Sequence, residues 1–252
     1  MIVTSDNAGV RELRLNRPPV NALTSELMRT LRESIQRAEQ DAVRALILSG
    51  SPGRFSAGLD VPLLLGLQAD EIAQMWRELY ALLQAIASSP VPIVAAITGH
   101  APAGGTVLAL FCDYRIMAQG DFKLGLNEVV VGIPLPPVIL GGLRRLVGAR
   151  QAERLGVSGA LLSPEQALAV GLVDEVAPAE QVVERARDWC MQMLALPHEA
   201  MTVTRRLARV DMVDLFGSEI DSELGSVIES WWSPSTQSTL RALVDRLKKK
   251  AG

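Results

Sequence analysis

Few residues of this chain are suited to chemistry by type and setting. Glu128 stands in GLNEVVVGIP, residues 125–134, against a run of valines, with no second acid in that stretch. Burying an unpaired carboxylate is costly, so such a residue either finds a partner or is put to use as a base. Two glycine-containing turns are the other candidates: GRFSAGLD (53–60) follows the apolar run RALILSG, and GHAPAGGTVLAL (99–110) follows PIVAAIT. Open α/β sheets place ligands beyond the ends of their strands, and small residues there let backbone N–H groups approach a ligand. The second turn also opens a helix, whose first N–H groups favour negative charge. Two such donors on one oxygen would form an oxyanion hole. Taken alone, the turns read better as tight connections, since such short patterns are common, and Glu128 reads better as a glutamate capping or salt-bridging a helix start.

Other chemistries fit poorly. Neither turn ends in the Gly-Lys-Ser/Thr of a phosphate loop, and neither carries the three-glycine dinucleotide spacing. Ser56 lacks a Gly-x-Ser-x-Gly elbow, and the chain has two histidines: His100, read as structural, and His198, remote in helical sequence. Cys112 and Cys190 have neither a disulfide nor a metal-ligand spacing and read as small buried hydrophobes. Asp113, in CDYRIMA, reads as a structural aspartate at a strand start. A net charge of −3 gives no reason to expect nucleic acid, and Lys248–Lys250 suit a solvated helix end. With no leader pattern and no run long enough to span a bilayer, the chain reads as soluble and cytoplasmic, or as a mature organellar form, with no membrane partner.

The elements that must position these residues alternate. Leu13 and Leu15 flank Arg14 in a strand that stops at the irregular loop NRPPVNALT. Thr24 or Ser25 caps a helix with Leu27, Leu31, Ile35 and Ala38 on one face. RALILSG and PIVAAIT are strands buried on both sides, separated by a helix carrying Ile72, Trp76, Leu79, Leu83 and Ile86. A helix through TVLALFC and the strand DYRIMA follow, so the class is α/β up to about residue 150. SPEQALAVG has Ser163 as cap, Pro164 at the first helical position, Gln166 completing a capping box and Gly171 as stop. From about 179 the pattern is helical, divided by Pro197 and Pro234. The division expected is a core over 1–195 and a helical region over 196–252, whose IESWW (228–232) suggests that it packs on something else, another subunit for example.

FSAGLD, PAGGTVLALFCDYRIMA, GLNE and SPEQALAVGLVDEV, with NRPPVNALT before them, together resemble the crotonase (enoyl-CoA hydratase/isomerase) superfamily, most of all its mitochondrial-type Δ3,Δ2-enoyl-CoA isomerases. The resemblance runs to about residue 180. It implies a spiral of ββα units with a helical C-terminal trimerisation region, a homotrimer or dimer of trimers, and an acyl-CoA thioester as substrate, with coenzyme A part of that substrate rather than a separate cofactor. Carried over, the oxyanion hole is Leu59 N–H and Gly104 N–H. Ala57, Gly58, Leu59, Asp60 and Val61 line the thioester and pantetheine, Asn127 and Glu128 face the acyl chain, and the adenine lies near Asn21–Leu23.

Family hydratases use two glutamates. By the resemblance the first falls on Val107, which cannot move a proton, and the second on Glu128. Shifting a double bond needs one base; adding water loses much of its machinery. The expectation is therefore a 3-enoyl-CoA to 2-trans-enoyl-CoA isomerase of fatty acid β-oxidation. In it Glu128 would take a proton from C2 and return it at C4, its pKa lifted by Val129–Val131. Enoyl-CoA hydration, another crotonase-type reaction and a non-catalytic acyl-CoA-binding scaffold are the alternatives. Leu63–Leu67, Trp76 and Leu135 are the residues expected to set acyl-chain length.

Overall fold

The computed structural model describes residues 1–38 and 40–251, the side chains of 250 and 251 excepted. The chain opens with an antiparallel pair, β1 (Ile2–Asn7) and β2 (Val10–Leu15), followed by α1 (Ser25–Arg37). Thr24 is the cap, its hydroxyl accepting from Leu27 N–H at 3.2 Å. Three similar turns of chain come next. The first is β3 (Ala45–Ser49), β4 (Gly53–Arg54), a short α2 (Val61–Leu64) and a long α3 (Ala69–Ala87). The second is β5 (Ile93–Ile97), β6 (Gly99–Pro102) and α4 (Gly104–Leu110). The third is β7 (Tyr114–Ala118), β8 (Leu124–Gly125), a 3-10 turn over Glu128–Val131, and α5 (Pro137–Val147).

Strands that begin these turns pair in parallel as β3, β5 and β7 within a six-stranded sheet of order β1-β2-β3-β5-β7-β9, where β9 is Glu175–Ala177. The second strands pair separately, as the parallel sheet β4-β6-β8. Stacking strand on strand and turn on turn makes a ββα spiral. Its consequence for function is positional: the segments that leave β4, β6 and β8 emerge side by side, although some 45 and 25 residues separate them in sequence.

Side chains alternate along a strand, and here both faces of the inner strands of the large sheet are covered. Ala45 and Ile47 of β3, with Val94, Ala96 and Ile116, face α8 (Val182–Leu194). Leu46, Leu48, Ile93, Ala95 and Ile97 join the main core under α1, α3 and α4. Every residue of β3 and β5 is buried, as two-sided coverage requires. The remaining helices are α6 (Ala149–Ser158), α7 (Pro164–Ala169), α9 (His198–Ala208), α10 (Val210–Asp214), α11 (Ile220–Trp231) and α12 (Pro234–Ala251). The Ser163/Gln166 capping box is present at α7.

The tail helices pack on α3, α5 and the 3-10 turn of their own chain. Asp113 anchors them. It receives both arms of Arg205 at 2.7 and 2.8 Å, Arg209 at 3.0 Å, and Ile93 N–H at 2.8 Å. The tail does pack on something else, and at the first tryptophan of IESWW that is the core of its own chain, not another subunit. Trp231 is fully buried edge-on to Trp76 of α3, ring centroids 6.4 Å apart; of the two tryptophans only Trp232 is exposed. No helix of the described residues is long and apolar enough to cross a membrane.

Candidate active site

The chain leaving β4 runs through Ser56, Ala57, Gly58 and Leu59 into α2. Ser56 is buried, and its hydroxyl donates to Asn21 O at 2.8 Å and accepts from Gly58 N–H at 3.2 Å, so it shapes the turn and is no nucleophile. Gly58 has φ +83, and a Cβ there would lie 2.8 Å from Gly104 N. A Cβ on Gly104 would lie 2.9 Å from Gly58 Cα. Side chains at either position would force the two turns apart; glycine at both lets their backbones touch.

The N–H inventory of these turns is uneven. Gly58 donates to Ser56, Asp60 to Leu23 O at 3.1 Å, Val61 to Leu59 O at 2.9 Å, and Ala103 to Gly125 O at 2.8 Å. Leu59 N–H and Gly104 N–H, among the described residues, have no acceptor. Two donors without an acceptor in touching turns can both serve one outside oxygen. Ala103, at φ +48 and ψ −122, aims the second of them. That is the first central conformation of a type II′ turn, normally glycine's, and costs a non-glycine residue about 1–3 kcal/mol.

The third segment, leaving β8, carries Asn127 and Glu128. All three segments open onto one cavity of about 520 Å³. Ala57, Leu59, Asp60, Val61, Gly104, Asn127 and Glu128 line it. Gly58 stands behind the wall, at the contact with Gly104. Apolar side chains complete the surface: Val107, Trp76, Leu79, Val131, Ile133, Pro136 and Ile139, with Leu243 and Leu247 from α12.

Two carboxylates reach this wall. Asp60 is already engaged, with Arg17 at 2.7 Å and Leu63 N–H at 3.2 Å. Among the described residues Glu128 has no ion partner, and its Oε2 is buried without a hydrogen bond, as is Oδ1 of Asn127. Burial pushes the Glu128 carboxyl up from the usual 4.5 to about 7, because the charged form loses water. The source of that desolvation differs from the sequence expectation. Val130 is 57% exposed, and the methyls of Val129 and Val130 pack around Gly159. Of the three valines only Val131 faces the cavity, so burial by the walls that other segments supply, more than by the adjacent valines, desolvates the carboxyl.

Several expected residues fall elsewhere. Asn21 and Leu23 are buried; the Asn21 amide donates to Arg54 O and Phe55 O at 3.3 and 3.1 Å, leaving Ala22 as the part of that segment on the cavity. Leu63–Leu67 and Leu135 do not line it, whereas Trp76 does. His100 is exposed and accepts from Lys123 N–H at 3.2 Å. Cys112 and Cys190 are buried, their thiols pushed up to about 12 by burial. Arg17, Val20, Leu243 and Leu247 were missed. Arg17 and Val20 flank the proline loop, and the spacing of Leu243 and Leu247 at i, i+4 showed an apolar stripe without showing what it covers.

Fold and site together define a ββα-spiral protein with a largely apolar cavity, two backbone donors without a partner among the described residues, and one acid outside any ion pair, the architecture of the crotonase class. Residues 5–223 match the family described as enoyl-CoA hydratase/isomerase. Enoyl-CoA delta isomerase 1, mitochondrial, of Mus musculus is 35% identical over 255 residues, covering 100% of this chain and 88% of its own. A probable enoyl-CoA hydratase of Mycobacterium avium is 36% identical, covering 84% of this chain and 83% of its own. The crystal structure of human mitochondrial delta3-delta2-enoyl-CoA isomerase matches with a TM-score of 0.95 at 34% identity, over 100% of this chain and 99% of that one. The chain belongs to the enoyl-CoA hydratase/isomerase family.

Proposed function

We propose that this chain is a Δ3,Δ2-enoyl-CoA isomerase in which Glu128 alone carries the migrating proton. The observation that carries the reading is that Glu128 is the one carboxyl on the cavity wall, among the described residues, outside any ion pair. Its chemistry follows from that solitude. The thioester oxygen of a 3-enoyl-CoA accepts hydrogen bonds from Leu59 N–H and Gly104 N–H. Glu128 takes a proton from C2, and the electron pair of that C–H bond delocalises into a dienolate whose charge sits on the bound oxygen. The protonated carboxyl then delivers the proton to C4, the double bond moves from C3–C4 to C2–C3, and the carboxylate is regenerated. A carboxyl titrating near 7 suits both steps, because it can take a proton and hold it without water nearby. Ala57, Asp60 and Val61 would run along the thioester and pantetheine, with Asn127 on the acyl side.

A second reading, hydration of a 2-enoyl-CoA, is favoured by the name of the Mycobacterium avium relative. Against it stands Val107, buried on the same wall, where the resemblance would put the glutamate that activates water. Purified protein mixed with a 3-enoyl-CoA should produce the ultraviolet absorbance of a conjugated thioester. A water adduct from a 2-enoyl-CoA, with no conjugation from the 3-enoyl substrate, would establish the second reading, and silence with both would leave a binding scaffold. We further infer a homotrimer or dimer of trimers, to be checked by light scattering. It is supported by the apolar side chains of Leu196, Val203, Leu207 and Val210, which this single chain leaves exposed along α9 and its flanks.

A further inference from the structure

A base whose carboxylate oxygen has no hydrogen bond is aimed by its backbone, so whatever fixes that backbone matters to the reaction. Glu128 begins the 3-10 turn, and the turn closes at Gly132, whose φ is +81. The carbonyl of Gly132 accepts from the Thr236 hydroxyl at 2.6 Å. Thr236 belongs to α12, more than a hundred residues away in sequence, and is 2% exposed. Ser233, ahead of α12, orients it: the serine hydroxyl donates to Thr236 Oγ1 at 2.9 Å and accepts from Thr236 N–H at 3.2 Å. The fit is close, since a Cβ on Gly132 would lie 3.1 Å from Thr239 Cβ and 3.4 Å from Thr236 Cα. On the far side Val129 and Val130 pack around Gly159, so the turn is clamped between α12 and the chain following α6.

We propose that Thr236 is a positioning residue: its hydroxyl, set by Ser233 and bonded to Gly132 O, holds the turn so that Glu128 points into the cavity. The helix that closes the cavity with Leu243 and Leu247 thereby also sets the base. The inference rests on Glu128 being the base, and it predicts a particular pattern of damage. Thr236→Val keeps the shape of the side chain and removes the hydroxyl. It should lower kcat about tenfold or more, toward the roughly hundredfold that an ångström of misplacement can cost, with KM within about twofold. Thr236→Ser, which keeps the hydroxyl, should restore most of kcat. Ser233→Ala, a milder lesion for use if the valine variant does not fold, should show the same split at smaller size.

A role in stability alone would lower the unfolding midpoint of Thr236→Val with kcat unchanged, or leave Thr236→Ser as impaired as Thr236→Val; either result overturns the proposal. Carbon-13 NMR of the Glu128 carboxyl, without substrate, separates this inference from the functional reading beneath it. Wild-type protein that converts no 3-enoyl-CoA defeats the reading of function. The carboxyl titration, near 7 in wild type, still decides on Thr236: a displaced midpoint in Thr236→Val supports the tie, and an unmoved one overturns it.

Discussion

Replacing Glu128 by glutamine should move activity and stability in opposite directions. The amide keeps the size of the side chain and cannot accept the C2 proton. Positioned acid–base groups contribute about 10²–10⁴-fold, and with Asp60 held by Arg17 and Leu63 N–H no other carboxyl on the wall is free to substitute. Turnover should therefore fall by about 10⁴-fold. Stability follows from the shifted carboxyl. Its folded pKa, about 7, lies above the usual 4.5. Below 4.5 both folded and unfolded chains carry the proton and there is no difference. As pH rises from 4.5 to 7 the unfolded chain ionises first, so folding loses free energy; above 7 the loss is complete. A difference of this size amounts to about 3 kcal/mol at most. Glutamine never ionises and escapes that loss, so at pH 8 the variant should resist urea better than wild type, with the advantage gone below pH 4.5. The paired assays are isomerisation followed by ultraviolet absorbance and urea unfolding at several pH values. A variant that keeps a tenth of wild-type turnover, or that is less stable than wild type at pH 8, would refute the reasoning.

Other outcomes follow from the same geometry. The pH profile of kcat/KM should show a limb near 7, activity falling as pH drops through it because the base is then protonated; a limb near 4.5 would mean an ordinary, solvated carboxyl. Gly104→Ala should cost about 3 kcal/mol of barrier, roughly a hundredfold, because its Cβ must push against Gly58 Cα and separate the two donors, and steady-state kinetics would show it chiefly in kcat. Asp113→Asn should destabilise the fold by about 3–5 kcal/mol, since Arg205 and Arg209 would keep their charges without the carboxylate between them; urea unfolding measures this.

The inner strands β3, β5 and β7 could be read from sequence because they are apolar runs buried on both faces, and α1, α3 and α7 because they carry periodicity or caps. The small sheet could not. Strands of two to four residues, such as β4 and β8, are too short to show any period, and they merge with the turns they feed. The glycines around them were visible, but the parallel stacking that brings Leu59, Gly104 and Glu128 together is a property of the spiral. β1, exposed along nearly all its length, has no apolar alternation to recognise. The valines after Glu128 misled, because the 3-10 turn directs Val129 and Val130 toward Gly159 and leaves only Val131 on the cavity. Trp231 misled likewise: next to an exposed tryptophan it looked like surface, and only the meeting of α11 with α3 buries it. Contributions from α12, Thr236 to the turn and two leucines to the cavity, cross a distance in sequence that no local pattern spans.

The most direct measurement follows hydrogen itself. A 3-enoyl-CoA carrying deuterium at both C2 positions, converted in ordinary water under single-turnover conditions, can be read by mass spectrometry and NMR for label at C4. A single buried carboxyl that carries the proton from one carbon to the other predicts substantial deuterium at C4, and none in product formed by Glu128→Gln. Complete replacement of that label by solvent hydrogen at the earliest times would contradict a lone shuttle shielded from solvent.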